Sequence, residues 1–115
     1  MPPRDWAFRI QDILDAIAKI QRYVADVDFE TFENDEEVMD AVIHNLTVIG
    51  EAANHMPEEI TGRHPQIPWR QMVDLRNFTV HAYWNLQPSV IWDTIQKDLP
   101  PLVESFRRIL AELEQ

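Results

Sequence analysis

The chain has 115 residues and 45% of them are hydrophobic, which is enough for one core and excludes a largely disordered protein. It has no cysteine, so a disulfide framework, thiol catalysis and thiolate metal sites are excluded. No apolar run reaches the roughly 18 residues of a membrane span, and the N-terminus does not resemble a secretory signal. We therefore expect a single domain over residues 1–115, a cytoplasmic location and no membrane partner.

The charge is unevenly distributed along the chain. The formal net charge of −10 by itself disfavours a nucleic acid as the partner. Residues 26–40, however, contain eight acidic side chains and no basic one. Residues 63–83 contain three arginines and one aspartate. The net charge of the whole chain therefore does not describe the surface around residues 63–83.

Hydrophobic spacing predicts two long helices in the first half of the chain. Apolar residues recur at spacings of three and four from Arg4 to Val24, which predicts one amphipathic helix. Asn34, with Glu37 three residues later, resembles a capping box and predicts the start of a second helix that Pro57 ends. Between the two helices the acidic stretch lacks this pattern, and we interpret it as a solvated loop.

Proline and glycine divide the second half of the chain. Residues 57–68 predict a loop or one short turn, followed by a third helix from Trp69 to about Tyr83. Pro88 predicts the start of a fourth helix, and the final helix is either separate from it or its kinked extension beyond Pro100. Four or five amphipathic helices with short connections predict an all-α, antiparallel four-to-five-helix bundle.

The third predicted helix places polar side chains in an apolar surrounding. At about 100° per residue a continuous helix would bring four of them onto one arc of about 160°. These are Arg76, Asn77, His81 and Tyr83. Histidine can transfer a proton near neutral pH, arginine offers a planar fork to phosphate oxygens, and asparagine can orient an imidazole. The set suits phosphodiester chemistry without a metal.

The same spacing allows a purely structural interpretation. Arg76 could pair with Glu51 or Asp74, and His81 could be a hydrogen-bonded interface histidine. Spacing alone does not decide between the two. No metal site is expected, because His44, His55 and His64 lack the spacing of a zinc motif. Thr31 also stands where a calcium loop needs glycine.

A family resemblance favours the catalytic interpretation. The segment from Arg76 to Tyr83 resembles the R-x-x-x-x-H-x-Y motif of HEPN-domain proteins, specifically the HepT-like ribonuclease toxins. Other segments that resemble this family occur in the same order over nearly the whole chain. They are residues 12–17 (DILDAI), 48–53 (VIGEAA), 67–70 (IPWR) and 92–102, with its W…DLPPL pattern.

The resemblance implies an all-helical homodimer, or a higher oligomer, in which the two motifs meet at the subunit interface. It implies a metal-independent endoribonuclease that needs no cofactor and leaves a cyclic phosphate on RNA. His81 would be the acid/base, Arg76 the phosphate ligand and Asn77 a supporting residue. The implied partner is a nucleotidyltransferase antitoxin of the MntA type, which would silence the toxin by adding AMP to Tyr83.

A rival hypothesis has the chain as a non-catalytic helical module that associates with a nucleotidyltransferase. The net charge of −10 favours this rival. So does Asp74, an acidic residue close to Arg76 in the sequence at a position where the family pattern has a small residue. The intact Arg76, His81 and Tyr83 set favours the enzyme.

Overall fold

The structure is a computed structural model, and it describes residues 4–77 and 87–113. Every regular element in these ranges is helical, which confirms the predicted all-α class. The elements are α1 (Arg4–Val24), α2 (Phe29–Asn34), α3 (Glu36–Asn54), α4 (Glu58–Arg63), α5 (Trp69–Asp74), α6 (Pro88–Asp93), a π-helical segment (Thr94–Asp98) and α7 (Leu99–Leu113). Within these ranges, no helix combines the length and the apolarity that crossing a bilayer requires.

The core forms where α1 and α3 pack side by side and α7 covers one flank. The first helix has the predicted bounds, and Ile10, Ile13 and Ile17 of its apolar stripe are completely buried. Leu99 and Phe106 complete the core from α7. Burial of each such aliphatic side chain contributes about 1.5–3 kcal/mol relative to exposure, so this stripe fixes α1 against α3.

The N-cap of the second long helix, α3, lies one residue later than predicted. The Asp35 carboxylate, not the Asn34 side chain, accepts a hydrogen bond from the backbone N–H of Val38 at 3.2 Å. Asn34 instead donates from Nδ2 to the Glu30 carbonyl at 2.8 Å. The prediction of Asn34 as the cap was therefore wrong, because Asn34 ends the preceding short helix.

That short helix, α2, lies inside the acidic stretch that we expected to be a solvated loop. Asp28 caps it by accepting a hydrogen bond from the Thr31 N–H at 2.8 Å, and the hydrogen bonds from Thr31 lower the pKa of this carboxyl. Phe32 is completely buried, and its ring centroid lies 5.0 Å from that of Trp92. The loop prediction was wrong for residues 29–34, because an aromatic contact anchors one face of an otherwise acidic helix.

The third predicted helix does not run without interruption from Trp69. Helix α5 ends at Asp74, and the next two N–H groups bond three residues back: Leu75 to Met72 at 3.1 Å and Arg76 to Val73 at 3.2 Å. This tighter 3₁₀-type pattern breaks the regular 100° spacing just before the motif. The interruption precedes the predicted arc of polar residues, which stays a prediction because His81 and Tyr83 lie outside the described residues.

The connection before α5 and the C-terminal helices also differ from a simple bundle. Residues 57–68, expected as a loop or one turn, contain the six-residue helix α4. The final helix is an extension of the fourth, as one of the two alternatives predicted, because the backbone stays helical from Pro88 to Leu113. The Leu99 N–H bonds to the Thr94 carbonyl, five residues back. Since Pro100 and Pro101 have no N–H to donate, the wider turn lies where the α-helical ladder is interrupted.

Candidate active site

Arg76 lies in the turn after α5, against the C-terminal half of α3. Its Nη1 is 3.6 Å from Oε1 of Glu51, and the side chains of Arg76 and Glu51 are 37% and 50% exposed. The structure thus joins two segments that are 25 positions apart in the sequence: the one around Glu51 and the start of the motif. It also confirms one contact of the structural interpretation, since Arg76 does pair with Glu51.

The ion pair between Arg76 and Glu51 is weak. Half-exposed pairs at this distance contribute about 0–1 kcal/mol, because solvent screens the attraction. A guanidinium has five N–H donors in a planar fork, so pairing of one nitrogen with a carboxylate is compatible with a second anion on the same group. The geometry therefore permits Arg76 to bind a phosphate while Glu51 limits the directions in which its side chain points.

Gly50 determines how closely the Arg76 backbone approaches α3. A Cβ atom on Gly50 would lie 2.5 Å from the Arg76 nitrogen and 2.9 Å from the Arg76 Cβ. Both distances are shorter than real Cβ contacts. Gly50 has no positive φ, so the glycine is required for space and not for an unusual backbone conformation.

A shallow groove of about 280 Å³ runs between α1 and α3 and reaches the ion pair through Glu51. Arg9 and Asp12 line it from α1, His44 lines it from α3, and His55 lines it directly after the end of α3. Nδ1 of His55 is 2.8 Å from the Glu51 carbonyl oxygen. Because a carbonyl only accepts, a hydrogen bond at this contact requires a proton on Nδ1. The groove therefore presents both basic and acidic side chains next to Glu51, the partner of Arg76.

The structure describes only some of the remaining predicted site residues. Asn77 is exposed directly after Arg76, and Asp74 is exposed at the end of α5. His81 and Tyr83 lie outside the described residues, so their distances to Arg76 remain predictions. Among residues 5–77 and 87–112, no group of three or more histidine, aspartate or glutamate side chains is arranged to hold a metal ion.

Sequence reasoning missed the contact between Gly50 and the Arg76 backbone. A signal for it was present, because glycine in a helix interior costs about 1 kcal/mol relative to alanine and often marks a close packing contact. Gly50 stands inside the C-terminal half of α3, between the buried residues Ile49 and Ala52. The sequence could flag this position but could not name the backbone that approaches it.

Comparison with known proteins finds a matching family and relatives that are all named as ribonucleases. The family model described as "Ribonuclease HepT-like" matches residues 13–109. "Probable ribonuclease HepT" of Thermococcus cleftensis is 36% identical over 100 residues, which cover 87% of this chain and 91% of that protein. "Putative RNase MJ0127" of Methanocaldococcus jannaschii is 32% identical over 114 residues, which cover 99% of this chain and 94% of that protein. No solved structure matches the chain significantly.

Proposed function

Because the chain belongs to the HepT-like ribonuclease family, we propose that it is a metal-independent endoribonuclease toxin controlled by AMP addition. The observation that supports this most directly is the placement of Arg76. The turn after α5 and the close contact with Gly50 hold its backbone against α3, and its guanidinium remains partly exposed. A fixed, accessible guanidinium is what stabilisation of a pentavalent phosphate requires.

In the proposed reaction the RNA supplies its own nucleophile. His81 accepts the proton of a ribose 2′-hydroxyl, the 2′-oxygen bonds to the adjacent phosphorus, and the bond to the 5′-oxygen breaks. A protonated histidine returns a proton to that 5′-oxygen, which leaves a 2′,3′-cyclic phosphate and a 5′-hydroxyl. Arg76 neutralises the charge that develops on the phosphoryl oxygens, and Asn77 orients the imidazole.

The proposal makes cleavage independent of divalent metal ions. We expect the purified protein to cut single-stranded RNA equally well in EDTA and in Mg²⁺, with cyclic phosphate ends in both cases, because the acid/base and the phosphate ligand are both side chains. The rate and the end groups are measured by gel analysis and by mass spectrometry of the products. Loss of cleavage in EDTA, with recovery in Mg²⁺, would contradict the mechanism.

We propose further that the active form is a homodimer or a higher oligomer. In a dimer two copies of the motif can meet at a two-fold axis, so that one His81 acts as the base and the other as the acid. Light scattering at micromolar protein is expected to give at least about 27 kDa, twice the chain mass of 13.6 kDa. A mass of about 14 kDa under the conditions that support cleavage would refute this part of the proposal.

The rival function is a non-catalytic module that binds a nucleotidyltransferase. The specific observation in its favour is the ion pair between Arg76 and Glu51, which gives the arginine a role without any substrate. The two functions differ in one result. A binding module forms the complex with the nucleotidyltransferase but leaves RNA intact at any protein concentration, whereas the enzyme cleaves RNA when that partner is absent.

A further inference from the structure

We propose that Gly50 is a positioning residue for Arg76: its missing side chain sets the distance between α3 and the phosphate-binding arginine. This inference rests on the proposed role of Arg76 in cleavage. The inference assigns a role in cleavage to a residue that contacts neither the RNA nor the reacting atoms. Gly50 acts instead through the backbone of Arg76, the group that its own Cβ would strike.

The contact is with backbone and is not easily relieved. A Cβ on Gly50 would lie 2.5 Å from the Arg76 nitrogen, whereas ordinary contact begins at 3.4 Å. The turn would have to retreat by about 0.9 Å, since a backbone nitrogen cannot move aside as the end of a flexible side chain can. The hydrogen bond from the Arg76 N–H to the Val73 carbonyl three residues back, at 3.2 Å, connects this nitrogen to α5 and opposes a purely local shift.

A shift of this size is large enough to affect the chemistry. Misplacement of a catalytic group by about 1 Å can lower the rate about 10²-fold. The ion pair with Glu51 would move as well, because it connects the Arg76 guanidinium to the residue that follows Gly50. Alanine itself is a better helix former than glycine, so the intrinsic preference of α3 is not weakened by the substitution.

The chain offers a matched control in its other glycine. Gly62 is also helical, in α4, but it is exposed, and a Cβ there would meet no atom within 4 Å. Gly50→Ala and Gly62→Ala therefore make the same chemical change with and without an obstructing backbone. We expect Gly62→Ala to cleave RNA like the wild type, and Gly50→Ala to lose about 10²-fold in kcat with little change in KM.

A double-mutant cycle separates positioning from general damage. The variants are Gly50→Ala, Arg76→Ala and the double variant, each measured for RNA cleavage and for helicity by circular dichroism. If Gly50 acts through Arg76, adding Gly50→Ala to Arg76→Ala changes the residual rate less than twofold. Damage to the whole fold would instead lower the residual rate of the double variant by the full factor seen in the single one.

Each result has a defined meaning. Gly50→Ala with wild-type kcat, or a double variant far slower than Arg76→Ala, overturns the positioning role. A Gly50→Ala chain that does not fold while Gly62→Ala does also overturns it, since Gly50 would then serve core packing in general. If Arg76→Ala itself cleaves RNA like the wild type, the proposed function fails, and this failure is recognised independently of what Gly50→Ala does.

Discussion

Replacing Arg76 or His81 with alanine is expected to reduce RNA cleavage by about 10²–10⁴-fold while leaving helicity and assembly intact. For Arg76 the physical reason is the loss of the only proposed positive group at the developing phosphoryl charge. For His81 it is the loss of proton transfer to and from the two ribose oxygens. The measurement is single-turnover cleavage of a labelled RNA, with growth inhibition on expression as a second readout.

Arg70 provides a matched control for the arginine substitution. It is exposed on α5, one and a half turns before the tightened turn, and the proposed mechanism gives it no part in the reaction. Arg70→Ala removes the same charge from the helix that directly precedes Arg76 and should leave kcat unchanged. Arg76→Lys keeps the charge but loses the planar fork, so we expect a rate between those of Arg76→Ala and the wild type.

Two outcomes would contradict this assignment. Wild-type cleavage by both alanine variants would remove Arg76 and His81 from the mechanism. Equal losses in Arg70→Ala and Arg76→Ala would show that the variants report general electrostatic attraction of RNA and not a specific phosphate contact. High salt distinguishes these cases, because general attraction weakens strongly as salt rises.

The helices with a strong apolar stripe were predictable, because one physical effect dominates them. The bounds of α1 agree with the prediction from Arg4 to Val24, since burial of one continuous stripe determines where that helix lies. The prediction failed where neighbouring residues compete to cap a helix. Asp35 and Asn34 both suit a cap, and the Asp28 cap and the buried contact of Phe32 with Trp92 stabilise the preceding residues as a helix.

The candidate site was predictable in composition but not in geometry. The motif identifies Arg76 as a site residue. The spacing left open whether Arg76 pairs with Glu51 or with Asp74, and the structure shows the pair with Glu51. The turn at Leu75 and Arg76 could not be predicted from the sequence, because it packs the Arg76 backbone against a helix that is distant in the sequence. The space for this packing is provided by Gly50, which has no side chain and lies 26 positions earlier in the chain.

AMP addition to Tyr83 is expected to abolish RNA cleavage, which would make this residue the control point of the proposed toxin. In the reaction the phenol oxygen of Tyr83 attacks the α-phosphate of ATP, a new oxygen–phosphorus bond forms, pyrophosphate leaves and the phenol proton is released. The adduct adds a bulky nucleotide and a negative phosphate seven positions after Arg76. Both the bulk and the charge would oppose entry of an RNA phosphate, and the adduct phosphate would compete for the Arg76 guanidinium.

The chain supplies its own control for the Tyr83 experiment, since it has two tyrosines. Tyr23 is half-buried on α1 and packs against the core, so it is a poor acceptor. The protein is incubated with a nucleotidyltransferase of the MntA type, ATP and Mg²⁺, and modified peptides are mapped by mass spectrometry. We expect AMP on Tyr83, loss of cleavage in the wild type and in Tyr23→Phe, and retained cleavage in Tyr83→Phe after the same treatment. Modification confined to another residue, or a Tyr83→Phe protein that is still silenced, would refute the prediction, because silencing would then not depend on this hydroxyl.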